Sequence, residues 1–202
     1  MSADDREPDG RRQRSRDSRA RIVAAMLDLI RAGELAPGAE QVAERAKVGL
    51  RTVFRHFDDM DSLYREMSHV IESELRDVVR RPFKAEAWQG RVLELVERRG
   101  AAFEKIAPFK RASDANRHRS RFLAADQMWL AAESREILRR QLPAEASPDP
   151  LGFETLDLLL SYEVWSRLRR EQDLSPDEAR RVLGAAVRRA LDAWGKAPHD
   201  PL

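Results

Sequence analysis

Arg51, Thr52, Phe54, Arg55 and His56 lie within six positions, and each suits contact with a polyanion that carries aromatic bases. A guanidinium pairs with phosphate oxygens or with a base edge. A threonine hydroxyl reaches phosphate, and its methyl can meet the methyl of thymine. A phenylalanine ring packs on sugar or on that same methyl, and an imidazole reaches phosphate or a base edge. Val53 and Phe57 are four apart, so in a helix they share the opposite, inward side. Thr52, Arg55 and His56 then turn to solvent, with Phe54 between the two faces. Arg51 and Thr52 stand at the helix start, where the positive end also favours phosphate.

Such a helix must be held by others. A helix over Glu40–Ala46 places Val42, Ala43 and Ala46 on one face, and Lys47-Val48-Gly49-Leu50 turns into a helix over Arg51–Phe57. Before them, a helix starting at Asp17 or Ser18 carries Ile22, Val23, Met26, Leu27, Leu29 and Ile30 at helical spacing and ends at Gly33. Residues 1–16 read as a disordered basic arm with Arg11, Arg12, Arg14 and Arg16. From Arg11 to Phe57, eleven basic residues face five acidic ones, although the whole chain has 37 basic and 35 acidic residues. The positive charge is therefore concentrated in this segment.

The remainder reads as further helices. Asp58, Asp59 and Asp61 cap a helix that runs to Pro82. The next spans Glu86–Ile106 and stops at Pro108. After a short element over Phe109–Ser113, another helix spans Asn116–Gln141. Asp149 and Pro150 open a helix to Glu171, and a capping box at Ser175–Glu178 opens the last one. The expected fold is all-α, with about nine helices. Residues 17–64 form a three-helix helix-turn-helix domain, and residues 65–202 a larger helical domain.

Composition excludes several classes. With no cysteine there is no disulfide, thiol nucleophile or thiolate zinc site, which fits a reducing cytoplasm. No apolar run approaches the roughly 20 residues of a membrane span. The start of the chain is polar and acidic, unlike a signal peptide. His56, His69, His118 and His199 have no metal-ligand spacing, and no phosphate loop or Ser/His/Asp signature is present. No enzymatic activity, metal or cofactor is expected.

The segment from Ile22 to Leu63 resembles the DNA-binding domain of the TetR family of transcriptional regulators. VAERA (Val42 to Ala46), the turn through Val48, RTVFRHF (Arg51 to Phe57) and Leu63 carry the likeness. The resemblance implies DNA contacts from Thr52, Phe54 and His56, with Gln41 as a phosphate contact. Two positions depart from the family pattern. Lys47 replaces the usual turn glycine and could itself meet phosphate. Met60, amid aspartates, replaces a phosphate-binding lysine, which shifts affinity toward the arginine arm.

Tyr162 to Leu191 is similar to the last two helices of the same family, which pair with their copies in a second subunit. This implies a homodimer interface at Leu156 and Leu159 and along Val182, Leu183, Ala186, Val187, Ala190, Leu191 and Trp194. By the same resemblance the middle helices hold a pocket for a small, mostly apolar effector. Its candidate walls are Trp88, Val92, Phe103, Phe122, Met128, Trp129, Tyr162 and Trp165, with Asn116, His118, Gln127 and Glu163 as possible polar groups. The implied function is a repressor that binds a palindromic operator in double-stranded DNA and is released by the effector. The residues alone leave open a ligand-independent DNA binder or activator, and a helical interaction protein whose basic arm binds RNA or an acidic partner.

Overall fold

The computed structural model describes residues 7–143 and 150–194. Among these it contains nine α-helices and no strand: α1 (Glu7–Arg31), α2 (Ala39–Ala46), α3 (Leu50–His56), α4 (Met60–Arg80), α5 (Trp88–Asn116), α6 (Arg121–Arg139), α7 (Pro150–Leu159), α8 (Tyr162–Arg170) and α9 (Pro176–Ala193). The all-α expectation holds, and α2 and α3 begin within one residue of their expected starts.

The chain divides into two compact units. The first comprises residues up to Glu74 together with Pro108–Gln127, and the second Leu75–Ala107 with the chain from Met128 onward. This differs from the boundary expected at residue 64. Phe109 and Ala112 of α5 and Leu123 of α6 are buried in the same core as Ile22, Met26, Val42, Val53 and Leu63. Asn116, itself buried, donates from Nδ2 to the carbonyls of Leu35 and Ala112, both at 2.7 Å. The apolar residues of 108–127 thus complete the first unit's core.

Turn chemistry fixes the first unit locally. Gly33 ends α1 with φ +102, a conformation that side chains disfavour. Asp59 Oδ1 accepts from Ser62 N–H at 2.8 Å and caps α4. Asp61 Oδ2 accepts from the Phe122 N–H at 3.3 Å, at the start of α6. Two of the three aspartates therefore serve helix ends, and only Asp58 and Asp59 are exposed.

The second unit buries Val92, Leu95 and Val96 of α5 against Leu138, Leu156, Trp165, Leu183 and Val187. Gly100 sits beneath Trp165, where a Cβ would lie 2.9 Å from the indole ring. Glu104 Oε1 accepts from Trp165 Nε1 at 2.8 Å and from Arg169 Nε at 2.9 Å. The capping box at Ser175 and Glu178 forms as the sequence indicates.

Four helix boundaries differ from expectation. First, α1 starts at Glu7, so residues 10–16 are helical and not a disordered arm. Pro8 lies in the first turn, where its missing N–H costs nothing, and arginine is a good helix former. The segment also propagates from a helix already nucleated by its buried half. Second, α5 runs through Pro108, because Phe109 and Ala112 beyond it are anchored in the first core. Third, α6 starts at Arg121, where Ser120 Oγ accepts from Leu123 N–H at 3.0 Å. Fourth, the helix expected over 150–171 is two helices. Ser161 caps α8 by accepting from Val164 N–H at 3.3 Å. The cap expected at Asp149 lies outside the described residues.

Candidate nucleic-acid interface

The outer side of α3 has the composition that the sequence indicates. Arg51, Phe54 and Arg55 are exposed at i, i+3 and i+4, Thr52 and His56 are half-buried, and Val53 and Phe57 anchor the helix from behind. Phe54 is 50% exposed. An aromatic ring left half in water among cations gives this helix an apolar point of contact for whatever covers it.

Lys47 makes the turn into α3. Its φ of 55 and ψ of 47 are left-handed, and its N–H closes α2 by donating to Glu44 O at 3.1 Å. This conformation costs a side-chain-bearing residue about 1–2 kcal/mol, so the absence of glycine there is tolerated at a cost. The ammonium is exposed.

The start of α2 opens on a cleft of about 580 Å³, lined by Gly38, Ala39, Glu40, Gln41, Leu50 and Phe54. No side chain caps the first-turn N–H groups of α2. Gln41 Oε1 accepts from the Gly38 N–H at 2.8 Å. That bond orients the amide and leaves its NH₂ as the free donor. Free N–H groups and a positive helix end attract an anion, although the Glu40 carboxylate in the same lining opposes it.

Arg19 of α1 fixes the far end of α3, a role that residue counting missed. Its Nη1 donates to His56 O at 2.7 Å, its Nη2 meets Glu66 Oε1 at 2.9 Å, and its guanidinium lies 4.4 Å from the centre of the Phe57 ring. A signal existed, since a cation near a helix C-terminus suits the dipole, but its partners are 37 and more positions away in sequence. Burial lowers the pKa of His56, helped by the positive charges of Arg55 and Arg19. Its Nε2 is buried without a hydrogen-bond partner, so that ring edge does not face outward as the sequence reading expected.

Among the described residues, Arg12, Arg14, Arg16, Arg45, Lys47, Arg51 and Arg55 form no ion pair, although Arg14 is hydrogen-bonded to its own helix. The side chain of Arg11 lies outside the described residues.

No protein-family model matches the chain, and no curated protein does. Solved structures do. One, assigned to the TetR family of transcriptional regulators and from Mesorhizobium loti, is 21% identical with a TM-score of 0.58, covering 91% of this chain and 97% of its own. The fold is TetR-like. A transcriptional regulator from Rhodococcus sp. Rha1 is 16% identical with a TM-score of 0.57, covering 89% of this chain and 99% of its own.

Within this TetR-like fold, the eight residues expected to wall an effector pocket do not all meet. Val92, Tyr162 and Trp165 are buried in the second unit, with Trp88 and Phe103 packed against its core. Phe103 stacks edge-on with Tyr162 at 5.5 Å. Phe122 instead packs on the first unit's core, and Met128 and Trp129 are 75% and 51% exposed. The polar candidates divide similarly: Asn116 is buried and committed to carbonyls, Gln127 is bonded by Arg117 at 3.0 Å, and His118 and Glu163 are exposed.

The expected dimer stripe needs correction as well. Leu156, Leu183, Val187 and Leu191 are buried within the chain, and Leu159, Ala190 and Trp194 pack against the same core. The stripe on α9 is thus the inward face of an amphipathic helix. Trp194 meets Trp88 edge-on at 5.7 Å. Of the nine residues, Val182 is exposed and Ala186 half-buried. The large apolar side chains left outside on α7 and α9 are Leu151, Leu158 and Val182.

Proposed function

We propose that this protein is a DNA-binding transcriptional regulator, acting as a homodimeric repressor. The observation that carries the reading is the outer face of α3, where Arg51, Phe54 and Arg55 form one exposed stripe whose cations lack carboxylate partners among the described residues. An α-helix fits the major groove of B-DNA, where each base pair has its own pattern of donors and acceptors. Thr52, Phe54 and Arg55 supply base and sugar contacts. Lys47 and the NH₂ group of Gln41 supply phosphate contacts beside the start of α2.

Two copies of α3 would read two half-sites about one helical turn, roughly 34 Å, apart. Leu151 and Leu158 of α7 with Val182 of α9 are the exposed apolar side chains suited to pairing the copies, in place of the buried stripe. An apolar effector would be taken up among Trp88, Val92, Phe103 and Trp165, the candidates that share one core, and Tyr162, which meets Phe103 edge-on. It releases DNA only through its higher affinity for the conformation that does not bind DNA.

Selection of bound duplexes from random DNA tests the whole reading. Recovery of an inverted repeat is the expected result, with Phe54→Ala abolishing the preference while the protein remains dimeric. Recovery of no sequence, with binding equal on all duplexes, would leave a sequence-independent DNA binder. Absence of duplex binding would remove the DNA reading.

A further inference from the structure

Residues 12–17 of α1 are all exposed, although the helix is continuous from Glu7. Its arginines are not equivalent. Arg12, Arg16 and Arg19 recur at i, i+4 and i+7 and therefore share one face. The third of them, Arg19, touches the carboxyl end of α3 through His56 O. The other two continue the same row outward, reaching about 10 Å beyond Arg19 at 1.5 Å per residue. Neither Arg12 nor Arg16 forms an ion pair or hydrogen bond among the described residues. Arg14 and Arg21 point elsewhere and are engaged locally, Arg14 Nε with Gly10 O at 3.1 Å and Arg21 Nη2 with Ser18 Oγ at 3.3 Å. Gln13 and Asp17 bond each other at 2.8 Å, which braces the extension as helix.

We infer that Arg12 and Arg16 form a rigid, one-sided phosphate rail that extends the recognition surface past the end of α3. Its partner is the phosphodiester backbone of duplex DNA flanking the half-site. This deepens the DNA-binding reading and rests on it. The rail differs from a flexible basic arm in one physical respect: its grip depends on helical phase. A cation that releases one condensed counterion contributes about 0.9 to the slope of log affinity against log salt concentration. Two rail contacts therefore contribute about 1.8, and they do so on any flanking sequence, because phosphate carries no base identity.

The test measures salt slopes for the full chain on a duplex recovered by selection and on a random duplex. Arg12→Ala with Arg16→Ala should lower the slope by about 1.8 on both duplexes, and Arg14→Ala should leave it unchanged. A single alanine inserted between Asp17 and Ser18 turns the rail by about 100° and leaves every core residue from Ile22 onward in register. It should lower the slope as much as the double substitution does. If the insertion leaves the slope intact while the double substitution lowers it, the arginines act as a flexible tether and the rail is wrong. If the double substitution changes nothing, they do not touch DNA. In both cases Arg55→Ala, measured alongside, keeps the parent reading separate: it weakens binding if α3 reads DNA, whatever the rail does. Thermal unfolding should be the same for all these variants, because the altered positions are exposed.

Discussion

Arginines of the two units differ in their partners. Around the helix-turn-helix, Arg45, Arg51 and Arg55 are exposed and meet no carboxylate among the described residues. In the second unit, Arg135 pairs with Glu154 at 2.6 Å and with Asp157 at 2.7 Å, and Arg169 pairs with Glu104 at 2.9 Å. Arg99 is tied to the carbonyls of Leu160 at 2.9 Å and Ser134 at 2.5 Å. Burial pushes its pKa down to about 10, which a nearby Asp157 partly opposes, and it stays charged at neutral pH. A chain with net charge +2 can thus hold a cationic surface, because several of its other cations, Arg98, Arg135 and Arg169 among them, are neutralised where they stand. Whether an arginine has a carboxylate partner, more than the count of arginines, decides how much of its charge a polyanion would meet.

That contrast can be broken from either side. The largest effect is expected in the second unit: Trp165→Ala removes a buried indole and the Glu104 bond and should cost about 3–5 kcal/mol, read by thermal unfolding. An unchanged melting temperature would mean that this core is not the one described. Gly100→Ala drives a methyl into the same ring and should cost about 1–3 kcal/mol without touching the recognition surface. On the other side, Arg55→Ala should weaken binding to a selected duplex by about 1–3 kcal/mol and leave unfolding unaffected. A loss of stability there would make Arg55 structural, like Arg169. Lys47→Gly should act in both directions at once. It relieves about 1 kcal/mol of left-handed strain, raising the melting temperature, and lowers the salt slope by about 0.9 if the ammonium meets phosphate.

The smallest effect concerns pH. Burial raises the pKa of Glu104, but hydrogen bonds from Arg169 and Trp165, with the positive charges of Arg169 and Arg180, outweigh it and hold the carboxyl below its ordinary value. A depressed carboxylate stabilises the fold fully above the ordinary glutamate range and loses that contribution as pH falls through the lowered value. Glu104→Gln should therefore be less stable than the parent at neutral pH, with the difference shrinking in acid. A difference that stays constant down to pH 3, on the order of one unit below the ordinary glutamate value, would contradict this.

Much of the recognition unit was legible because local rules and tertiary packing agree there. Val42, Ala43 and Ala46 are buried where helical spacing puts them, and so are Val53 and Phe57. Ser175 and Glu178 form the box that their spacing announces. What escaped depended on residues far apart in sequence. Apolar periodicity runs through 150–171 without a break, and serine is only mildly unfavourable inside a helix, so nothing local separates α7 from α8. Pro108 is a stop signal that distant anchors override. The stripe on α9 is equally apolar whether it faces its own chain or a copy, and only the neighbouring helices decide which. Asp61 reads from the sequence as a cap of its own helix, and nothing local announces that it also accepts from the N–H of Phe122, 61 positions later.

The discontinuity of the first unit has a consequence for biosynthesis. Phe109, Ala112 and Leu123 are built into the same core as the helix-turn-helix, and Asn116 reaches back to the carbonyl of Leu35. A nascent chain that has emerged only as far as Glu74 therefore lacks part of the core on which its recognition helix rests. At about 5–20 residues per second, a few seconds of synthesis separate the appearance of α3 from the appearance of its last supports. During that interval the apolar backs of α1 and α2 are only partly covered. A ribosome stalled before residue 127 would hold a segment whose recognition helix is complete in sequence and unfinished in its packing.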